Sequence, residues 1–589
     1  MARFGIKNKE ATAAVIAQEA HLPPTEGVKD DSSEGVPRSA SLTSEKANEL
    51  EKNVSNGDDA YDASAPAYPG KARLSLIMLG VTLFVFLVAL DQVIISTAIP
   101  KITDDFHSFS DIGWYGSAYL LTSTALQPLF GRLYASFPIK TIILLSLGIF
   151  ELGSLICAVA QDSKTFIVGR AIAGSGMAGG YSGCLIIISL IAPLETRPLL
   201  TSLVGAVYGI GASIGPLLGG VFTSKATWRW CFFVNLPIGG ITAAVILFFL
   251  SVPKRPHEFS AIQRLKRIDW QGTVLALASI VCLLLVCQNG GVKQGWSWGS
   301  SRTVGLIVGC VAIAAVFAVD QVWMGERATL VPRICKQRTI AFGSVVNFCI
   351  GASYFSLLYF LPLYFQAVRG SSAIRSGVQN LPFIIAVILA VTVSGGLTNK
   401  YGWYMPWIFG GTAMLAIGAG TLYTFTPTTS TAQWAGLQFL AGLGPGVAFM
   451  QPFLASQCVL ELRDLELGSA IVIFSQTLGG AVFVSVAQAI FQNRFVVGLR
   501  DVPGVNVDSV LAVGVSAFRE VVPAELLPPV ILKLQAALND TWLISVALAG
   551  VAFFAAFGME RGHSVLDAQK AMMAALAQPQ KEQTTKTED

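Results

Sequence analysis

From Leu74 to Ala98 the chain reads LSLIMLGVTLFVFLVALDQVIISTA, with a single ionisable group, Asp91. At 1.5 Å per residue such a helix exceeds the roughly 30 Å hydrocarbon core of a bilayer. Apolar blocks of this kind recur along the chain, and connections as short as Phe137 to Ile139 leave no room for a soluble domain between them. The pattern predicts an all-α integral membrane protein of about fourteen spanning helices, the first over 74–98 and the last over 541–559. Composition agrees: of 589 residues 53% are hydrophobic and 13% charged, about half the charge of a soluble domain. A net charge of +4, without a basic cluster interleaved with aromatics, excludes nucleic acid as a partner.

Lys and Arg set the orientation. Lys71 and Arg73 precede the first span, and Arg264, Lys266, Arg267, Arg327, Arg333, Lys336 and Arg338 cluster in connections on the same side. By the positive-inside rule both termini are cytoplasmic. The division expected is a disordered tail over 1–70, six helices over 74–251, a linker with two further helices over 252–339 and six more over 340–559. An extracellular loop over 493–540 and a cytoplasmic tail over 560–589 complete it. An internal echo supports two similar halves. Gly131-Arg-Leu, leading to Lys140, follows the second span, and Gly395-Gly-Leu-Thr-Asn399-Lys400-Tyr-Gly402 follows the tenth. If spans one to six repeat as nine to fourteen, the echo falls in register, as in parallel-repeat transporters.

An ionisable group deep in a span is costly and marks a functional site by default. Asp91 and Arg170 are placed at similar depth in the outer half, and Glu151 near the midplane. Asp91 and Arg170 are read either as a structural ion pair or as a proton-responsive pair. Glu151 is either the alternative proton carrier or a residue facing a lipid-side or helix–helix seam. In the fifth span Gly211, Gly215 and Gly219 make one smooth face, with Pro216 and Gly220 beside it. Small residues at that spacing let helices approach closely, and this face is read either as a tight packing seam or as a seam between the two halves that flexes and seals. In the ninth span Tyr354, Phe355, Tyr359, Phe360, Tyr364 and Phe365, with Asn347 and Gln366, are candidates for an amphipathic cavity, as is Gln476, with a lipid-facing aromatic belt as the alternative for the rings.

These stretches resemble the major facilitator superfamily, in particular its fourteen-spanner drug:proton antiporters of the fungal toxin-efflux type. Leu90-Asp91-Gln-Val-Ile-Ile-Ser-Thr-Ala-Ile-Pro100 is similar to the first-helix signature of that group, and Gly169-Arg170-Ala-Ile-Ala-Gly174 to its fourth-helix motif. Gly211 to Gly220 resembles the antiporter motif, followed by the hallmark Trp228-Arg-Trp-Cys-Phe-Phe-Val-Asn235-Leu-Pro237. The resemblance implies two six-helix bundles plus two central helices, and alternating access around a midplane cavity. It also implies a monomer that exports a small amphipathic molecule, such as a mycotoxin or other secondary metabolite, driven by a proton gradient and without a cofactor. The cell membrane is the expected location, with vacuolar or vesicle membranes as alternatives. One departure concerns the gate loop after the second span. Ala135 stands where the family carries an acidic residue, and Pro138 where it carries a glycine. Whether this loop still locks is left open.

The rival reading within transport is a vacuolar carrier of basic amino acids or a siderophore exchanger, whose cargo calls for more cavity charge. An enzyme is not expected: the four histidines lie in loops and tails, without a Ser/His pair or HExxH. Nine cysteines show no CxxC or Cys/His spacing, so neither a metal site nor a disulfide framework is expected.

Overall fold

The computed structural model describes residues 69–108, 111–193, 195–251, 260–289, 296–461, 464–507, 509–510, 518–519, 521–560 and 565. The expected N-terminal tail to residue 68 and nearly all of the C-terminal tail lie outside the described residues.

The first half comprises α1 (Lys71–Phe106), α2 (Ile112–Ser136), α3 (Ile139–Val159), α4 (Ser163–Ile191), α5 (Arg197–Lys225) and α6 (Trp230–Phe249). Two further helices follow, α7 (Trp270–Asn289) and α8 (Ser301–Met324). The second half holds α9 (Arg338–Leu363), α10 (Leu381–Tyr401), α11 (Met405–Leu422), α12 (Thr431–Ala448, continued by Gln451–Val459), α13 (Leu465–Arg500) and α14 (Leu527–Ala556). Thirteen of the helices are long and apolar enough to cross a membrane. The remaining one, α2, is more polar because it is interior. Thr122 donates to Ala171 O of α4 at 2.7 Å, and Gln127 accepts from Thr477 of α13 at 2.6 Å.

Helix ends follow local chemistry. The Asp162 side chain caps α4 by accepting from Thr165 N at 2.9 Å. Gly402, at φ 76°, closes α10 in the left-handed region that glycine tolerates best. Pro362 has no N–H to give, and beyond it α9 widens into a π turn, Tyr364–Val368, with Arg369 N donating to Tyr364 O.

The repeat is visible in packing. Within the first half α1 lies on α5 and α6, α4 on α2 and α3, and α3 on α6; within the second half α9 lies on α13 and α14, α12 on α10 and α11, and α11 on α14. The halves meet where α2 packs on α13 and α5 on α10. Of the extra pair, α7 packs on both α2 and α13, while α8 rests on α7.

Two boundaries differ from expectation. Helix α1 continues through Pro100 to Phe106. Helix α13 runs to Arg500 and α14 begins at Leu527, so the loop expected over 493–540 shrinks to the residues between those two ends. Pro528 and Pro529 fit the first helical turn, where their missing N–H groups cost nothing. Val530, Leu534, Ala537 and Leu538 then bury one helical face.

Candidate functional site

The ionisable pair in α1 and α4 is joined. Arg170 Nη1 lies 2.6 Å from Asp91 Oδ2, and the two side chains are 1% and 0% exposed. Burying two charges is affordable only with good geometry and with the remaining polar atoms satisfied. Those partners are present: Arg170 Nε donates to Tyr115 O at 2.9 Å, and the guanidinium sits 4.3 Å above the Tyr119 ring. On the other side, Asn235 Nδ2 at the start of the long part of α6 donates to Asp91 Oδ1 at 3.1 Å and to Ser154 Oγ at 3.0 Å. Asp91 is therefore held by one cation and one neutral amide from two different helices. Asn235 and Tyr119 were not singled out from sequence, although an amide inside an apolar span was a usable signal.

Glu151 stands one helical turn from Ser154. Both its carboxylate oxygens are buried without a hydrogen-bond partner, and they lie against Gly239 of α6, where a Cβ would come within 1.8 Å of Oε1. The seam alternative thus describes its position: Glu151 is in the α3–α6 seam, at the end of a polar string running Asp91–Asn235–Ser154.

Of the two readings of the α5 glycine face, the tight packing seam describes its position, and the seam between the halves does not. A Cβ on Gly211 would meet Phe86 O at 2.9 Å, one on Gly215 Ile94 N at 3.1 Å, and one on Gly219 Ile94 O at 2.5 Å, all on α1 in the same half. The reason is the helical period: positions i, i+4 and i+8 share one face, and the contact with the second half lies on another. There Gly205 and Gly209 meet Val391 and Ile388 of α10, Pro216 lies 3.8 Å from where a Gly377 Cβ would be, and Gly220 meets Ile374. The smooth face instead lets α5 press on the Leu90–Ile94 segment that presents Asp91.

At the end of the bundle where α1 starts, the two echo glycines meet opposite halves. A Cβ on Gly131 would lie 2.4 Å from Ala470 Cβ of α13, and one on Gly395 1.7 Å from Ser202 Oγ of α5. The charged members of the echo do not cross. Lys140 Nζ donates to Leu247 O of its own half at 2.5 Å, and Lys400 lies 5.4 Å over the Tyr401 ring. Asn399 Oδ1 is buried without a partner, and Gly402 acts as the helix stop.

The cavity candidates separate. Asn347 and Gln476 are brought together, with Gln476 Nε2 donating to Asn347 Oδ1 at 3.3 Å and to Phe449 O at 3.2 Å. Tyr354 packs beside them on Phe449, ring centroids 5.0 Å apart, and Phe355 reaches Tyr208 of the first half at 6.5 Å. Tyr208 in turn donates to Gln92 of α1. Tyr359 is 56% exposed, and its ring lies 6.4 Å from that of Phe360. Gln366 stands apart: in the π turn its Nε2 lies 3.4 Å from Ser376 Oγ and ties α9 to the short helix before α10. Phe360, Tyr364 and Phe365 pack on Phe491, Phe425 and Trp434 in the core of the second half.

Residues 81–486 match the family model of the Major Facilitator Superfamily. The chain belongs to that superfamily. Its members are transporters rather than enzymes, and this one is a multi-pass membrane protein. Among relatives, an MFS-type efflux pump of Trichophyton rubrum is 44% identical over 83% of this chain and 91% of its own length. The efflux pump aflT of Aspergillus parasiticus is 43% identical over 85% and 98%, and a rubrofusarin-specific efflux pump of Gibberella zeae 41% over 84% and 90%. Among solved structures, the human organic anion transporter MFSD10 superposes with a TM-score of 0.52 at 13% identity, covering 82% of this chain and all of that one. That likeness shows the facilitator fold alone.

Proposed function

We propose that this facilitator exports a small, neutral, amphipathic metabolite in exchange for protons, by alternating access of its two halves around the cleft. The observation that carries the reading is the buried Asp91–Arg170 pair, held by Asn235 in a wholly buried setting. Protonating Asp91 removes its attraction for Arg170 and leaves the arginine to other partners, while deprotonation restores the bond. A carboxyl–guanidinium pair that opens and closes in this way couples proton uptake to a change of shape. Glu151, with no donor of its own, is the second proton site, reached along Asn235 and Ser154.

Export rather than uptake is supported by the relatives, whose names describe efflux pumps. The cargo is read from the side chains gathered where the halves meet. The rings of Tyr208, Tyr354 and Phe355 and the amides of Gln92, Asn347 and Gln476, which bond one another while the halves are closed, suit a molecule with an apolar ring system and a few hydroxyl or carbonyl groups once the halves part. A basic amino acid or charged siderophore is disfavoured, because the buried charge at the site is already spent on the Asp91–Arg170 pair. The cell membrane is the proposed location. The test compares medium and cell extract from the native host with and without the gene by mass spectrometry. A neutral metabolite that moves from medium to cells in the deletion supports the reading; no shift in any metabolite contradicts export.

A further inference from the structure

The connection between α8 and α9 ties both halves together at the end of the bundle where α1 starts. From the first half, Arg132 at the end of α2 donates through Nε to Ala328 O at 2.7 Å, and through Nη2 to the carbonyls of Glu326 and Ala328. From the second half, Asp464, which immediately precedes α13, accepts two parallel bonds from Arg333: Nη1 to Oδ2 at 2.8 Å and Nη2 to Oδ1 at 2.9 Å. The same guanidinium donates to Glu326, with Nε 2.9 Å from Oε1. Gln337 Nε2 adds a bond to Val459 O at 2.9 Å. The extra helices hold the connection in place, because Asp269 at the start of α7 accepts from Thr329 N at 3.0 Å, Thr329 Oγ1 at 2.9 Å and Gln321 Nε2 at 2.7 Å. One short stretch, Gly325 to Gln337, thus grips α2, α7 and the approach to α13 at once.

We infer that this connection is the lock of the inner gate, with the Arg333–Asp464 fork as its releasable bond, in place of the acidic residue missing at Ala135. The inference rests on the alternating-access reading. Opening this end requires α2 and the start of α13 to part at Gly131 and Ala470. Arg132 and Asp464 are bound to the same short segment, so parting breaks either the Arg132 bonds on one side or the fork, with the Gln337–Val459 bond beside it, on the other. Arg132 bonds main-chain carbonyls whose segment is anchored on Asp269, whereas Arg333 is 47% exposed and its water-facing bonds exchange readily. The fork is therefore the attachment that yields. The pair is open to water on the Arg333 side only, with Asp464 8% exposed; an exposed pair shifts an equilibrium by a factor of about two to five, and the bidentate geometry and buried carboxylate place this one toward the upper end. A gate that turns over needs a closure of that modest strength, since a much stronger one traps a single state.

The test places spin labels at Pro138→Cys and Trp403→Cys, exposed positions on the two halves at this end, with the nine native cysteines replaced. Distances are measured in lipid nanodiscs without substrate. Arg333→Ala and Asp464→Asn are each expected to raise the ratio of separated to closed populations about threefold to fivefold. The double variant should go no further than either single one, and Arg333→Lys, which keeps the charge but loses the fork, should fall between. Distance distributions unchanged in both single variants, or effects that simply add in the double variant, overturn the lock. Efflux of a lipophilic dye is followed in the same variants. Shifted distances without any efflux keep the lock and sink the export reading; efflux with unmoved distances does the reverse.

Discussion

Replacing Gly219 by alanine tests the seam that sets Asp91 in place. A Cβ there would lie 2.4 Å from Thr97 Oγ1 and 2.5 Å from Ile94 O. The threonine hydroxyl can turn aside, but the carbonyl belongs to the α1 backbone. Moving from 2.5 Å to an ordinary contact of 3.4 Å means parting α5 from α1 by about 0.9 Å. Overpacking of this kind costs about 1–3 kcal/mol, offset by up to about 1 kcal/mol for the better helix former. The net loss expected is about 1–2 kcal/mol. At Gly215 the nearest α1 atom is Ile94 N at 3.1 Å. The same substitution there needs only a few tenths of an ångström and should be close to neutral. The assay is the half-loss temperature of monodisperse protein in detergent, followed by fluorescence-detected size exclusion. Gly219→Ala should melt several degrees below the parent, and Gly215→Ala within about a degree or two of it. If Gly215→Ala proves the more damaging, the reasoning from the α1–α5 contact is wrong.

Asn235→Leu keeps the branching at Cγ, with two bulkier methyl groups, but strips Asp91 Oδ1 and Ser154 Oγ of a donor. A loss of about 1–3 kcal/mol is expected, together with a changed pH dependence of transport that a merely structural site would not show. Gly395→Val places a side chain against Ser202. It should hold α5 and α10 apart and broaden the distance distribution between labels at 138 and 403. The Glu326 bond beside the fork should resist ordinary acidity. A bond from Arg333 holds the Glu326 carboxyl below its ordinary 4.5, so its contribution is present above that value and lost only as pH falls through the lowered one. Replacing Glu326 by Gln should therefore change the distance distribution equally at pH 7.5 and 5.5; a Glu326→Gln effect that fades between those two values contradicts the assignment.

Much of this was legible in the chain itself, for physical reasons. A carboxylate in an otherwise apolar run, as at Asp91, is tolerated only with a partner, and equal depth named Arg170 as that partner. The register of the Gly131 and Gly395 echoes marked the pseudo-symmetric contacts at one end of the bundle. Periodicity shows which residues share a helix face but not what the face meets, which is why Gly211, Gly215 and Gly219 read equally well as a packing seam within one half or a seam between the two. Asn235 was quoted within a motif without its role, because an amide's partner depends on how α6 turns toward α1. The early start of α14 is not legible because Pro528 and Pro529 suit a loop as readily as a first helical turn. The grip of Arg333 on Asp464 joins residues 131 positions apart, a pairing no local pattern contains.

The most direct test of the account is gradient-driven transport in proteoliposomes that hold the purified protein and a lipophilic dye. An imposed pH gradient should drive uphill dye movement with proton counterflow in the wild type. Asp91→Asn should bind the dye and exchange it downhill while losing the response to the gradient, with its intact fold checked by size exclusion, because that change leaves Arg170 without its anion. Uphill movement in Asp91→Asn equal to the wild type, or a wild type indifferent to the gradient, would contradict proton coupling through this pair.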